Sequence, residues 1–265
     1  MSPSAPDARF SFDHHVEIND VGPHGDARLS ALLNWFQTTS SRHSASLGYP
    51  VSDLTKEGLT WIITRYHLCI DRSPRWRDAL TVETWRAGNT GTFTPREFLL
   101  KDSRGETLVR ASASYTLLDI RKRKAQAPST RFPDYPVDPE RAVPDDFSPL
   151  PLPEAFTNEK SVTIRRSDMD FNGHANNALY TEWCMEGVSD QLYEQFRPIE
   201  MEIAFKGEVF YGEDIVVQTW RETRESGPVT LHCLLSQSRK REVARARVHW
   251  KKRGEQRSAN GETRG

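Results

Sequence analysis

What this 265-residue chain has little of narrows it before anything it contains. Cysteine is scarce: there are 3, Cys69, Cys184 and Cys233, far apart and in no C-x-x-C spacing. An odd, scattered set builds neither a disulfide framework nor a structural zinc site, so three buried thiols in a reducing compartment are expected. An excess of one charge is missing too, with Lys plus Arg at 36 and Asp plus Glu at 37 for a net charge of −1. A nucleic-acid partner calls for a basic surplus gathered on one face, so none is expected. No apolar run approaches the roughly 18 residues that a membrane-spanning helix needs. The first residues, Met1-Ser-Pro-Ser-Ala-Pro-Asp, lack the apolar stretch of a secretory signal. Together these absences predict a soluble, cytoplasmic protein.

What is present can still build a core, because apolar residues make up 36% of the chain and include 7 Trp and 12 Phe. The length suits one large domain or two ordinary ones. Seven prolines crowd into residues 133–156, where Pro133, Pro136, Pro139, Pro144, Pro149, Pro151 and Pro153 exclude helix and sheet interior alike. That stretch reads as an extended linker between units at 8–132 and 157–253, with a polar, disordered tail at 254–265.

The two units share a layout. Each opens on a short strand (His15-Val-Glu-Ile, then Val162-Thr-Ile), runs through a polar loop, and enters one helix. The first helix, over 28–47, sets Leu29, Leu32, Leu33 and Phe36 at helical spacing, and Gly48 ends it. The second starts near Asn176 and carries Leu179, Trp183 and Val188. Only strand signals follow: 60–71, 80–87, 92–101 and 107–119 in the first unit, then 199–209, 215–223, 229–236 and 243–251 in the second. Thr84-Trp-Arg recurs as Thr219-Trp-Arg, and Arg110-Ala recurs as Arg245-Ala at the same offset, which favours an internal duplication. One helix followed by several antiparallel strands is an α+β arrangement: two tandem hotdog domains, each a curved antiparallel sheet wrapped around a long helix.

Chemistry concentrates at the start of the second unit. Asp170, Asn172 and His174 alternate immediately before the helix, where an extended loop, or a turn at Gly173, gathers their side chains. Asn176 and Asn177 can cap that helix, leaving its first N–H groups aimed at a polarised carbonyl or oxyanion. Ordinary loop and capping chemistry is the alternative for the same residues. Glu208 lies among Phe205, Val209, Phe210 and Tyr211, where burial would raise its pKa as a water-activating base requires; an edge-strand carboxylate paired with Lys206 is the other reading. Neither a metal nor a cofactor is needed for attack on a carbonyl.

The stretch Asp168-Met-Asp-Phe-Asn-Gly-His-Ala-Asn-Asn-Ala-Leu-Tyr is similar to the D-x-N-x-H-V-N-N signature of the acyl-ACP thioesterase family. Trp61-Ile-Ile-Thr-Arg, Trp76-Arg-Asp-Ala-Leu-Thr-Val-Glu-Thr-Trp and Leu108-Val-Arg-Ala-Ser-Ala also resemble family segments, in the right order over residues 10–252. The resemblance implies tandem hotdogs that release fatty acids from acyl carrier protein. It places catalysis on Asp170, Asn172, His174 and Glu208, with Asn176 and Asn177 at the oxyanion. The plant pattern has a cysteine after the glutamate; Val209 stands there, which argues against a Cys–His route.

By the same resemblance the first unit holds the acyl chain, with Leu33, Trp61 and Ile63 as pocket candidates and core packing as the alternative. The basic run Arg121, Lys122, Arg123 and Lys124 offers a local patch for an acidic carrier, or simply a solvated strand end. An acyl-CoA thioesterase is the runner-up, because the single-hotdog enzymes carry an Asp…Gly-His…Asn…Tyr loop that resembles Asp170 to Tyr180. A non-catalytic acyl-binding protein is the reading from another class. Two hotdogs in one chain can pair with each other, so a monomer or a homodimer is expected.

Overall fold

Alternation of side chains explains most of the strands. In Ala79–Arg86 (β3), Leu80, Val82, Thr84 and Arg86 share the inner face, while Glu83 and Trp85 face outward. In Thr107–Asp119 (β5) both faces are buried, because a helix covers one and a later segment of chain covers the other. The computed structural model describes residues 8–153 and 155–254; the expected disordered tail falls almost wholly outside the described residues. The remaining first-unit strands are Arg9–His15 (β1), Leu59–Ile70 (β2), Phe93–Asp102 (β4) and the short Lys124–Gln126 (β6). The second unit adds Asn158–Thr163 (β7), Phe196–Phe205 (β8), Asp214–Arg224 (β9), Gly227–Ser236 (β10) and Arg241–Lys252 (β11).

These strands form one sheet in the order β1-β3-β4-β5-β2-β8-β11-β10-β9-β7, with β6 beside β5. The order reads the same from either edge once each second-unit strand is matched to its first-unit counterpart, as duplication requires. The two halves meet where β2 pairs with β8, from Arg65 opposite Ala204 to Cys69 opposite Glu200. Each half curves around its own helix, giving the two hotdogs that the sequence implied. The 18-residue helix Leu29–Ser46 (α1) buries Leu32, Leu33 and Phe36, and Phe36 stacks on Phe98 of β4 with ring centroids 4.7 Å apart. Short helices Val51–Lys56 (α2) and Pro128–Arg131 (α3) flank it in the first unit.

Four expectations need correcting. The opening strand lies at Arg9–His15 and reaches only the first residue of the His15-Val-Glu-Ile stretch; Val16 and Ile164 instead drop into the core, each leading into a 3-10 turn. The second helix is broken into Leu179–Glu186 (α4) and Asp190–Gln195 (α5). At the break, a Cβ on Gly187 would sit 2.4 Å from Thr219 Oγ1, and Ser189 Oγ restarts the helix by accepting the Leu192 N–H at 3.3 Å. The strand expected at 199–209 stops at Phe205, so Glu208 lies in a loop. Cys69 is half-buried, whereas Cys184 and Cys233 are buried and burial pushes both thiols up, Cys233 to about 11.

The proline-rich segment is no free spacer. The first unit ends beside β5 while β7 forms the far edge, so the chain must cross the outer face of the sheet. On the way Trp85 Nε1 donates to the Glu140 carbonyl at 2.8 Å, Ser112 Oγ to that of Val143 at 3.0 Å, and Arg245 Nη1 to that of Leu150 at 2.7 Å. The backbone N–H of Ala142 donates to the fully buried Glu97 at 2.9 Å. This strap binds both halves of the sheet without adding a strand. Prolines suit it, since its amides need no ladder partners. Among the described residues no helix is long and apolar enough to cross a membrane.

Candidate active site

A tight turn, not an extended loop, gathers the alternating residues. Met169 and Ala175 form a two-residue bridge, the Asp170 N–H donates to the His174 carbonyl at 2.9 Å, and Gly173 donates to the Asp170 carbonyl at 3.1 Å. Gly173 has φ +80°, a left-handed conformation that a Cβ resists. Asp170 Oδ1 accepts the Asn172 backbone N–H at 2.8 Å, and Asp170 Oδ2 accepts the Asn172 side-chain amide at 3.3 Å. The turn is tied to the Glu208 loop by the Ala175 N–H, which donates to the Val209 carbonyl at 2.8 Å. Buried Tyr180 donates its hydroxyl to the Gly207 carbonyl at 3.0 Å; burial, then the nearby Glu208, holds that phenol protonated.

This places His174 between two carboxylates. Its Nδ1 is 3.6 Å from Asp170 Oδ2 and its Nε2 is 3.9 Å from Glu208 Oε1. Both gaps exceed a hydrogen bond. The Glu208 side chain is 50% exposed, so burial among Phe205, Val209, Phe210 and Tyr211 does not occur. Val209 alone of these is fully buried; Phe210 and Tyr211 turn outward and lie under Arg239 and Arg166. Lys206 pairs with Glu242, leaving Glu208 to face His174.

The expected helix N–H groups are not spare. Asn176 Oδ1 takes the Ala178 N–H at 3.0 Å, its carbonyl takes Leu179, and the Asn177 carbonyl takes Tyr180. Asn176 also donates to Asn34 Oδ1 at 3.2 Å, which links the loop to α1 of the first unit. Asn176 therefore caps and anchors, and the exposed Asn172 amide, held only by its 3.3 Å bond to Asp170, is the donor with the freedom to turn to a carbonyl oxygen.

Beside Asn172 a cavity of about 540 Å³ opens between α1 and the inner faces of β2 to β5. Trp61 and Ile63 line it, as does the 84% exposed Phe171 at its mouth; Leu33 is fully buried in the packed core and does not. Much of the remaining lining is polar, including Ser and Thr of α1 and Arg86 and Arg96 of β3 and β4. Sequence periodicity gave no sign of these arginines, because which residues of two strands face one cavity depends on register. Arg121 to Arg123 are exposed in the turn after β5 and Lys124, also exposed, opens β6; Asp119 of β5 pairs with Leu59 at the start of β2. Since β8 runs antiparallel to β2, the Glu208 loop leaves the sheet at that same end.

The first unit repeats the backbone of the turn without its chemistry. Val21 bridges Ala27, Gly22 donates to the Asp26 carbonyl at 2.9 Å, and Gly25 has φ +75°. Gly22, His24 and Asp26 stand where the second unit has Asp170, Asn172 and His174. Asp26 is occupied by Arg253 at 2.6 Å and His24 lies 3.5 Å from Glu194, so these side chains are structural.

Comparison with known proteins matches residues 7–130 to the acyl-ACP thioesterase N-terminal domain and residues 153–252 to the acyl-ACP thioesterase C-terminal domain. The dodecanoyl-[acyl-carrier-protein] hydrolase of Umbellularia californica is 27% identical over 258 residues, covering 89% of this chain and 66% of the relative. The palmitoyl-acyl carrier protein thioesterase of Gossypium hirsutum is 24% identical over 273 residues, covering 95% of this chain and 66% of its own length. The chain thus spans a little under two thirds of these chloroplastic relatives. Among solved structures, the 12:0-ACP thioesterase from Umbellularia californica superimposes with TM-score 0.83 at 25% identity, covering 93% of this chain and 95% of that one.

Proposed function

The chain belongs to the acyl-ACP thioesterase family, and from that premise we propose that it hydrolyses the thioester of fatty acyl-acyl carrier protein, giving free fatty acid and carrier. The observation that carries this reading is His174 set between Asp170 and Glu208 at the mouth of a cavity lined by Asn172. Asp170 orients the imidazole through Nδ1, and Glu208, facing Nε2, supplies the base or attacks the carbonyl itself. The Asn172 amide receives the developing oxyanion. The buried, protonated Cys184 and the absence of a thiol at Val209 support a carboxylate route over a thiolate one. Hydroxylamine trapping together with oxygen-18 incorporation during a single turnover separates the two carboxylate routes: a Glu208 hydroxamate or label in Glu208 marks a covalent anhydride, and the absence of both marks direct attack by water.

The test of the function is turnover of matched acyl-ACP and acyl-CoA. We expect kcat/KM to favour acyl-ACP, and Glu208→Gln and His174→Ala each to lower kcat by about a hundredfold or more without loss of the folded state. Equal rates on both carriers would favour the acyl-CoA reading, and full activity in both variants would remove the assigned site. For the carrier contact, Arg121, Lys122, Arg123 and Lys124 lie at the end of the sheet where the Glu208 loop emerges, a position that suits an acidic partner. Reversing their charge should raise KM for acyl-ACP and leave a small thioester unaffected. The free cysteines suit a reducing compartment such as the cytoplasm, and a place in fatty acid biosynthesis is part of the same proposal.

A further inference from the structure

The wall of the cavity beside Asn172 is mostly apolar but carries two buried cations. Arg86 on β3 and Arg96 on β4 are directly opposite in register, on the inner face, 2% and 6% exposed. Like charges in direct cross-strand apposition repel, and burying a cation without a counter-ion is costly. Four other partly buried arginines each face a carboxylate: Arg9 pairs with Asp138, Arg141 with Glu97, Arg245 with Glu242 and Arg247 with Glu202. Among the described residues Arg86 and Arg96 have only neutral partners. Arg86 Nε donates to Thr94 Oγ1 at 2.9 Å, and another of its nitrogens bonds Asn89. Arg96 donates to Tyr135 Oη at 2.5 Å, and its Nη1 lies 3.3 Å from both Thr84 Oγ1 and His43 Nδ1. His43 adds no charge, since burial and then Arg96 push its pKa down to about 3. Among the described residues nothing bonds the buried Arg86 Nη1, and none of those lining the cavity is Asp or Glu.

We infer that Arg86 and Arg96 form a subsite for an anionic end group on the acyl chain, so that the substrates best fitted to this chain are thioesters whose far end carries a carboxylate. The inference rests on the thioesterase reading and deepens it. Asn172 and the arginine pair line the same cavity, so a single acyl group can contact both. A terminal carboxylate seated between the two guanidiniums cancels their repulsion, satisfies Arg86 Nη1, and gains charge-assisted bonds in a site screened from water. A terminal methyl leaves both cations unmatched, and sites built to bond a polar group discriminate strongly against analogues that lack it.

The test compares acyl-ACPs of equal length ending in methyl or in carboxylate, over a graded series. At the preferred length kcat/KM should favour the carboxylate by about tenfold or more, and Arg86→Gln combined with Arg96→Gln should remove or invert that preference, read as the ratio of the two kcat/KM values within the same variant. Faster turnover of the methyl-ended partner at every length in the wild type overturns the subsite and leaves the thioesterase reading standing. If no thioester is turned over, the function falls separately, and calorimetry on the unmodified protein decides the subsite. A free dicarboxylate should then bind more tightly than the monocarboxylate of equal length and lose that advantage in the double variant; equal binding overturns it. Inorganic phosphate binding as tightly as the dicarboxylate, with no end-group preference among substrates, assigns the pair to a free anion and also overturns it.

Discussion

At the residue scale the site is a set of short distances made by one turn and one loop. Asp170, Asn172 and His174 were legible in the sequence because four consecutive spacings of local chain bring them together, with Gly173 marking the turn. Glu208 was legible as a candidate but not in its setting: a cluster of aromatic neighbours in sequence suggested burial, and the loop after β8 turns Phe210 and Tyr211 outward instead. The helix amides are not legible for a related reason, since Asn176 and Asn177 take up the N–H groups of Ala178, Leu179 and Tyr180 from within the turn. Arg86 and Arg96 were invisible because only sheet register sets them face to face. One consequence concerns Tyr180, whose hydroxyl holds the Gly207 carbonyl at 3.0 Å. Tyr180→Phe removes one neutral hydrogen bond, so kcat should fall several-fold as the Glu208 loop loosens, with stability lowered by about 1 kcal/mol. Steady-state kinetics beside urea unfolding would show it; an unchanged kcat would mean that the bond does not position Glu208.

At the scale of elements, periodicity gave the long α1 and most strands, since alternation and helical spacing are local. The split of the second helix is not legible locally because its cause, Thr219 and Val217 close against Gly187, comes from β9. Gly187→Ala places a Cβ 2.4 Å from Thr219 Oγ1 and should cost about 1–3 kcal/mol, read as a lower urea midpoint at unchanged slope. Gly173→Ala tests a different constraint. Nothing lies within 4 Å of the added Cβ, but φ +80° makes the left-handed backbone cost about 1–2 kcal/mol and should spread the Asp170–His174 geometry, so activity drops more than stability. Its first-unit counterpart Gly25→Ala, at φ +75°, should cost similar stability with activity intact. That pair of variants separates the turn's conformation from its chemistry.

At the scale of the whole molecule, two halves are joined by the β2–β8 ladder and by the strap, and His67 sits where all three meet. His67 Nδ1 is 2.8 Å from Asp145 of the strap, and His67 Nε2 is 2.9 Å from Glu200 of β8. Burial alone would lower its pKa, but hydrogen bonds to Asp145, Cys69 and Glu200 outweigh it and hold the imidazolium up to about 11. A raised folded pKa means that this stabilisation is complete below the ordinary value of 6.5 and is lost as pH climbs towards 11. The stability margin of wild type over His67→Gln should therefore be larger at about pH 6 than at about pH 9 in urea titrations; a margin that grows with pH would rule out the charged pairing. The strap's length and prolines predicted a connection but not its route, because a crossing of the sheet follows from which edge β7 occupies. The repeated turn has a further outcome at this scale. A pair of identical hotdogs presents two equivalent mouths, and this chain keeps the turn at both but Asp170, Asn172 and His174 at one. Counting by rapid quench or tight-binding inhibitor should give one reacting centre per polypeptide, with no half-of-sites behaviour. The other mouth, freed from turnover, is already employed in fastening Arg253 at the end of the last strand to Asp26 near the start of the chain.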